Sequence, residues 1–246
     1  MFEDPHRPIA LVSALRREIE PLWRKLPAES RMASKYGRFA RCRLDRRPLI
    51  LGWTGDGRQA AEDGLRSLFA WQPVDRLIGL GVAGGLSPGL GLGQLVVGVE
   101  IRDADGTAAP PKPSLVARAL ASGGAQEGVL NSSPQILAAS RAKRRCWQQL
   151  GQPPVATVDL ETATWARLAG EHRIPFLGVR AVSDPAEDDL PLDFERYRGT
   201  DGRVRSLRVA LRALTRPSLI APLRRLQQRV ELCADRLSTW ALDFVS

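Results

Sequence analysis

The sequence has no long hydrophobic run and is poor in cysteine and histidine. The apolar run at residues 9–15 is too short for the core of a secretory signal, and no run is long enough to span a bilayer. Three widely separated cysteines and two histidines offer neither a disulfide framework nor the spacing of a metal site. We therefore expect a cytoplasmic protein with no bound metal and no cofactor.

The length and the charge limit the architecture and the partners. A chain of 246 residues with ordinary apolar content predicts one large domain over residues 1–246. Its net charge is +9, and residues 201–246 hold nine arginines against four acids, an excess of five positive charges. Such an excess can mark an anionic partner or only a solvated face.

Apolar runs and helical periodicity alternate along the chain. Strands are predicted near residues 9–14, 38–44, 48–53, 75–82, 94–101, 128–131, 155–159 and 176–184. Helices are predicted near residues 15–26, 58–70, 114–122, 136–150 and from 159 onward. The alternation predicts a three-layer α/β domain with a central, mostly parallel mixed sheet flanked by helices. An acidic loop at residues 185–202 and a basic helical segment at residues 203–246 complete the chain.

Polar residues gather where two predicted elements meet. The sequence Asp-Leu-Glu-Thr-Ala at residues 159–163 opens a helix with two carboxylates. The strand at residues 176–184 carries Arg180, Ser183 and Asp184 to its C-terminal end. Small ligands bind beyond the carboxyl ends of the strands in open α/β sheets, so we predict a ligand site here.

The glycine segment Gly-Leu-Gly-Val-Ala-Gly at residues 79–84 formally matches a dinucleotide fingerprint. A strand, rather than the required helix, is predicted after it, which argues against that reading. Two interpretations remain. The segment is a wide turn whose glycines adopt positive φ, or its bare backbone closely approaches a ligand ring or sugar.

Three segments together resemble the nucleoside phosphorylase superfamily, and within it the nucleosidases that cleave 5'-methylthioadenosine and S-adenosylhomocysteine. They are the opening strand with Glu18 (residues 9–18), the glycine segment at residues 81–86, and Asp-Leu-Glu-Thr-Ala together with Arg-Ala-Val-Ser-Asp at residues 180–184. Beyond these, Asp-Pro-Ala-Glu-Asp-Asp-Leu-Pro at residues 184–191 and Asp-Gly-Arg at residues 201–203 are more similar to the hopanoid-associated phosphorylases. That resemblance implies release of adenine from adenosylhopane.

The resemblance also implies a role for each acid. Asp184 would protonate N7 of the leaving purine, Glu161 would accept hydrogen bonds from the ribose hydroxyls, and Glu18 would activate water. Each acid also has a plain structural reading, as a turn-starting residue, a helix N-terminal acid or a solvated helix acid. The further substrate contacts implied by position are Leu160, Ser183, Arg180, Val82, Ala83, Gly84, Gln135 and Ile136.

The nucleophile stays open between water and phosphate. Arg16 and Arg17 beside Glu18, together with Arg58, could form a phosphate site by charge and bidentate hydrogen bonding. The strand at residues 77–81 has no internal arginine of the kind that many phosphorylases place there. Hydrolysis and phosphorolysis both remain.

The basic C-terminal segment has two readings. Its arginines, which include Arg205, Arg208, Arg212 and Arg216 on one helical stripe, form a solvated face or contact anionic lipid headgroups. Nucleic acid is disfavoured because no aromatic residues interleave with the arginines.

These observations predict a homodimeric enzyme that releases adenine from a 5'-substituted adenosine. Adenosylhopane is the first choice of substrate, which would require contact with the inner membrane face. A methylthioadenosine or adenosylhomocysteine nucleosidase is the alternative, and a non-catalytic nucleoside-binding or membrane-associated scaffold is the third reading.

Overall fold

The computed structural model describes residues 6–104, 106–107, 110–199 and 204–246. Its strands are β1 (Ile9–Ser13), β2 (Ser30–Ala33), β3 (Arg38–Leu44), β4 (Arg47–Trp53), β5 (Arg76–Gly85), β6 (Leu95–Asp103), β7 (Gly106–Thr107), β8 (Ala125–Ser132), β9 (Ala156–Asp159) and β10 (Phe176–Asp184). Its α-helices are α1 (Arg16–Lys25), α2 (Arg58–Trp71), α3 (Pro113–Ala121), α4 (Ser140–Gln149), α5 (Thr162–Glu171), α6 (Ser206–Thr215) and α7 (Ile220–Val245). Two short 3-10 helices lie at Phe194–Tyr197 and Pro217–Leu219.

The strands form one mixed sheet that closes on itself. β5 pairs in parallel with β10 and antiparallel with β9. From β9 the sheet continues through β8 and β6 back to β10, so five strands complete a ring. β1 pairs in parallel with the outer side of β5 and leads to β4, β3 and β2. The ring places the carboxyl ends of β5 and β10 beside each other.

Helices cover both faces of this sheet. On one face, α1 buries Ile19 and Leu22, three residues apart, in a cluster that includes Leu237 of α7. On the other face, α2 and α5 contribute Leu65 and Trp165 to a second cluster. Burial of these apolar faces is the main stabilising contribution to the fold. The predicted α/β domain, with a mixed sheet flanked by helices, is confirmed.

The turn interpretation of the glycine segment is wrong. β5 runs straight through it to Gly85, and the glycines with positive φ come later, at Gly89 and Gly93. Gly79 has no side chain because α5 packs onto the strand there: a Cβ at this position would lie 2.8 Å from Cε3 of Trp165. Close packing of α5 against the strand therefore explains the glycine at position 79, which is not required by a turn.

Other elements also differ from the prediction. β2 was not foreseen, because it is an exposed edge strand without apolar alternation. α4 begins at Ser140 rather than at residue 136, and the preceding residues form a loop beside the 3-10 helix Phe194–Tyr197. The motif Asp-Gly-Arg at residues 201–203 lies outside the described residues.

The C-terminal helix α7 is divided into an exposed and a buried part. Its second half packs into the core, whereas most residues of its first half are exposed or half-buried. The largest buried side chains of the second half are Leu237, Trp240, Phe244 and Val245. Within the described ranges, no helix is both long and apolar enough to cross a membrane.

Candidate active site

Glu18 is held at the end of β5 by the backbone. Its Oε1 accepts a hydrogen bond from the Val82 amide at 3.0 Å, and its Oε2 accepts one from the Leu15 amide at 2.8 Å, which caps its own helix. The side chain is buried, so Glu18 is not a solvated helix acid. Burial raises the pKa of this carboxyl, against the opposing effect of the two amides. A raised pKa suits a group that takes a proton from water.

Glu161 faces the same region from the N-terminus of α5. Its Oε1 accepts a hydrogen bond of 2.7 Å from the amide of Gly57, which precedes α2. Burial, followed by the nearby charge of Asp159, raises the pKa of Glu161 to about 8. Below about pH 8 this group is a neutral carboxyl, whose remaining lone pairs can still accept hydrogen bonds from hydroxyl groups.

Arg180 and Asp159 form a buried ion pair behind these acids. The Arg180 Nε lies 2.5 Å from Oδ2 of Asp159, and its Nη1 donates to the carbonyl oxygens of Gly79 and Val179 at 2.9 Å. The Thr162 hydroxyl bridges the pair, accepting from Arg180 and donating to Asp159. Since four N–H groups of Arg180 are used inside the protein, its geometry supports a structural role that anchors α5 on the sheet.

Asp184 sits at the last position of β10, between a hydroxyl and an ammonium group. Its Oδ1 accepts a hydrogen bond of 2.6 Å from the Ser183 hydroxyl, and its Oδ2 lies 2.5 Å from Nζ of Lys143. Asp184 is buried, which the simple turn-starting reading does not require. No sequence pattern pointed to Lys143, because it stands among arginines in a helix that resembles a solvated basic face.

The end of β5 leaves room for two of the acids. A Cβ at Gly81 would lie 3.3 Å from Oε1 of Glu18, and a Cβ at Gly84 would lie 3.0 Å from Oδ2 of Asp184. The Ser183 Oγ also lies 3.4 Å from the Ala83 carbonyl oxygen, although its proton is directed to Asp184. The glycine segment therefore admits close approach by these two carboxylates. The interpretation that its bare backbone approaches a ligand ring or sugar stays a prediction.

The predicted purine-facing residues lie in the loop before α4. Gln135 is exposed, and its amide donates to the Ser133 hydroxyl at 3.2 Å. Ile136 is half-buried, and its backbone amide donates to the carboxylate of Glu195, in the 3-10 helix Phe194–Tyr197, at 2.7 Å. Glu195 thus fastens the acidic loop onto this segment.

The three arginines proposed for phosphate do not line one cavity. Arg16 and Arg17 are exposed on α1, and Arg16 pairs with Glu20 at 2.7 Å. Arg58 instead lines a cavity of about 320 Å³ that borders the Glu161 side of the site. The other principal residues of its wall are Tyr36, Gln59, Ser133, Leu160, Thr164 and Arg198.

Fold and site together define an α/β enzyme in which three buried carboxylates converge at the ends of adjacent elements of a closed mixed sheet. The chain belongs to the phosphorylase superfamily, whose family model matches residues 8–215. The expectation of a nucleosidase or phosphorylase is confirmed at this level.

Solved structures of similar fold cover nearly the whole chain. A 5'-methylthioadenosine/S-adenosylhomocysteine nucleosidase from Colwellia psychrerythraea, in complex with adenine, shares 18% identity at a TM-score of 0.77, with 100% of this chain and 96% of that one covered. The nucleosidase of the same name from Neisseria meningitidis, in complex with methylthio-immucillin-A, shares 17% identity at a TM-score of 0.76, with 97% and 98% covered. The futalosine hydrolase of Helicobacter pylori shares 17% identity at a TM-score of 0.72, with 96% and 97% covered.

Proposed function

We propose that the protein cleaves the N-glycosidic bond of a 5'-substituted adenosine and releases adenine. The observation that carries this proposal is the convergence of buried Glu18, Glu161 and Asp184 on the ends of β5 and β10. Cleavage of this bond passes through an oxocarbenium-like sugar, which carboxylates stabilise. The similar solved structures named as adenosine-type nucleosidases support the same reaction class.

Each acid has one task in the proposed reaction. Asp184, oriented by the Ser183 hydroxyl, gives its proton to the purine as the C1'–N9 bond breaks. Glu161 accepts hydrogen bonds from the ribose hydroxyls. Glu18 takes a proton from a water molecule whose oxygen forms the new bond to C1'.

We propose water, rather than phosphate, as the nucleophile. A phosphate anion beside Glu18 would meet a buried carboxylate, while the nearest buried cation, Arg180, is already paired with Asp159. Arg16 and Arg17 are exposed on the outside of α1 and do not offset that repulsion. Adenine release that is unchanged by added phosphate would support hydrolysis, and release that requires phosphate would contradict it.

The proposed substrate is adenosylhopane, as the sequence resemblance implies. The support in the structure is the exposure of Leu211, Leu214 and Ile220 beside the arginines of α6 and α7, which suits contact with an anionic membrane. We also propose that the enzyme works as a homodimer, which sedimentation analysis would test.

A second candidate substrate is favoured by the cavity next to Glu161. Its volume of about 320 Å³, and the polar side chains of Arg58, Gln59 and Arg198 in a largely apolar wall, suit a small 5' substituent with a polar end, such as that of S-adenosylhomocysteine. A pentacyclic hydrocarbon tail would extend beyond it.

Adenine release from three nucleosides tests these proposals. The purified protein is incubated with adenosylhopane in vesicles, 5'-methylthioadenosine or S-adenosylhomocysteine, and adenine is measured by chromatography. Asp184→Asn removes the proton donor, so we expect kcat to fall by about 100-fold or more. The exposed Asp193→Asn serves as a control that keeps wild-type activity. Tight purine binding without release from any of the three would instead support the non-catalytic scaffold.

A further inference from the structure

Lys143 is a fully buried cation directly behind the proposed proton donor. Its side chain is 0% exposed, although it lies in a helix whose neighbouring Arg144 and Arg145 are exposed. Lysine is almost never buried in this way without a charged partner. That partner is Oδ2 of Asp184, 2.5 Å from Nζ.

The ammonium group has acceptors for all of its N–H groups. Besides the carboxylate, Nζ donates to the carbonyl oxygens of Pro185 at 2.9 Å and Asp188 at 3.0 Å, with that of Asp184 at 3.3 Å. Lys143 therefore fixes both the carboxylate and the turn that follows β10. A buried ammonium also needs a counter-charge, and here the counter-charge is the acid that the proposed function uses as its proton donor.

We propose that Lys143 is a positioning residue for Asp184 in the cleavage step. This inference rests on the proposed function. When Asp184 gives its proton to the leaving base, it becomes a buried carboxylate. The Lys143 ammonium, 2.5 Å from Oδ2, stabilises that carboxylate, so Asp184 takes up its proton from solvent before each cleavage and returns to the ion pair when the base leaves. This contact acts on the proton transfer rather than on substrate binding.

Lys143 and Ser183 hold the carboxyl from two sides. Ser183 donates to Oδ1 and Lys143 donates to Oδ2, so the plane of the carboxyl group is fixed relative to the end of β5. Gly84 completes this arrangement, because a Cβ there would lie 3.0 Å from Oδ2 and 3.5 Å from Cε of Lys143. The space around the acid is thus matched to a lysine on one side and to a glycine on the other.

The test compares a leaving group that needs a proton with one that does not. Wild type, Lys143→Met and the exposed control Lys25→Met are assayed with 5'-methylthioadenosine and with 4-nitrophenyl β-D-ribofuranoside, whose nitrophenolate departs unprotonated. For Lys143→Met we expect kcat on the nucleoside to fall by about 100-fold, with KM changed by less than about threefold. Cleavage of the nitrophenyl riboside should stay within about threefold of wild type.

The outcomes separate the inference from the function on which it rests. Equal losses on both substrates, or a nucleoside rate equal to wild type, would overturn the role of Lys143. If wild type cleaves the nucleoside but not the nitrophenyl riboside, the nucleoside kinetics alone decide. A higher KM with unchanged kcat in Lys143→Met would then overturn the role of Lys143. If Lys143→Met does not fold, Lys143→Gln retains two N–H donors for the carbonyls and is judged by the same criteria. If wild type releases no adenine from 5'-methylthioadenosine, the variants are compared on S-adenosylhomocysteine and on adenosylhopane in vesicles. Absence of adenine release by wild type from all three nucleosides would instead refute the proposed function.

Discussion

The burial of Glu161 links the stability of the fold to pH. Its pKa is raised from an ordinary 4.5 to about 8, so between these pH values the folded chain holds a proton that the unfolded chain has lost. The unfolding free energy contributed by this group is therefore highest below about pH 4.5 and decreases as the pH rises through about 8. This direction is opposite to that of an exposed, ion-paired carboxylate.

We predict that Glu161→Gln flattens this pH dependence. The amide cannot ionise, so the melting temperature of the variant should decrease less than that of wild type between pH 5 and pH 8. Thermal unfolding followed by circular dichroism across this range measures the difference. Glu187→Gln, at an exposed position, should reproduce the wild-type profile. Parallel profiles for Glu161→Gln and wild type would show that Glu161 is ionised throughout.

At the level of residues, the sequence pointed to the acids but not to what surrounds them. Glu18, Glu161 and Asp184 each lie in a short run of residues that can be recognised in the sequence alone. Lys143 is separated from Asp184 by 41 positions, and its neighbours in the sequence are arginines on the outside of α4. Its burial depends on tertiary packing, which the helical pattern of α4 does not reveal.

Some strands of the sheet need glycine at positions where a neighbouring segment packs directly against the backbone, because a side chain there would collide with it. Gly52 of β4 pairs with Phe39 of β3. A Cβ at Gly52 would lie 2.3 Å from Cδ1 of Phe39 and 2.4 Å from the carbonyl oxygen of Arg38. The second of these atoms belongs to the backbone and cannot move without disturbing the strand pair.

We predict that Gly52→Ala destabilises the protein by about 3 kcal/mol, at the upper end of the cost of overpacking. Gly170→Ala is the matched control, because Gly170 is an exposed helical position of α5 with nothing within 4 Å of the added Cβ. Alanine there should be neutral or stabilising by up to about 1 kcal/mol. Urea unfolding of both variants measures the difference, and a Gly52→Ala variant as stable as Gly170→Ala would contradict the packing at β3 and β4.

At the level of elements, periodicity located most strands and helices but misread the glycine segment. The prediction ends the strand near residue 82 and allows a wide turn over residues 79–84, whereas β5 continues to Gly85. Gly79 leaves room for the ring of Trp165 of α5. The pairing partner that makes a glycine necessary is distant in the sequence. The pairing of β5, β10, β6, β8 and β9 into a ring could not be predicted from the sequence pattern either, because it also depends on partners that are distant in the sequence.

The molecule as a whole is asymmetric in charge and in burial at its C-terminal end. Trp240 and Phe244 of α7 are buried in the core and hold the second half of this helix in place. The first half of α7 and the preceding α6 lie outside that packed region. Leu211, Leu214 and Ile220 are exposed there, with arginines around them. Periodicity predicted both basic helices, but which half of α7 is buried depends on packing against α1 and β10.

We predict that this end of the molecule binds anionic membranes. Co-sedimentation with phosphatidylcholine vesicles, with and without phosphatidylserine, should show binding only when the anionic lipid is present and decreasing binding as salt is added. Each arginine near an anionic surface contributes about 1 kcal/mol, so Arg208→Gln with Arg216→Gln should weaken binding about 30-fold. Leu211→Gln with Leu214→Gln should weaken it as well, through loss of apolar insertion.

The matched control removes the same charge from another basic surface. Arg144 and Arg145 are exposed on α4, and Arg144→Gln with Arg145→Gln leaves α6 and α7 unchanged. If binding depended on net charge alone, both arginine pairs would weaken it equally, and the specific role of the C-terminal helices would be refuted. A selective loss in the Arg208 and Arg216 variant, with the melting temperature unchanged, would identify α6 and the adjoining Arg216 as the surface that binds the membrane.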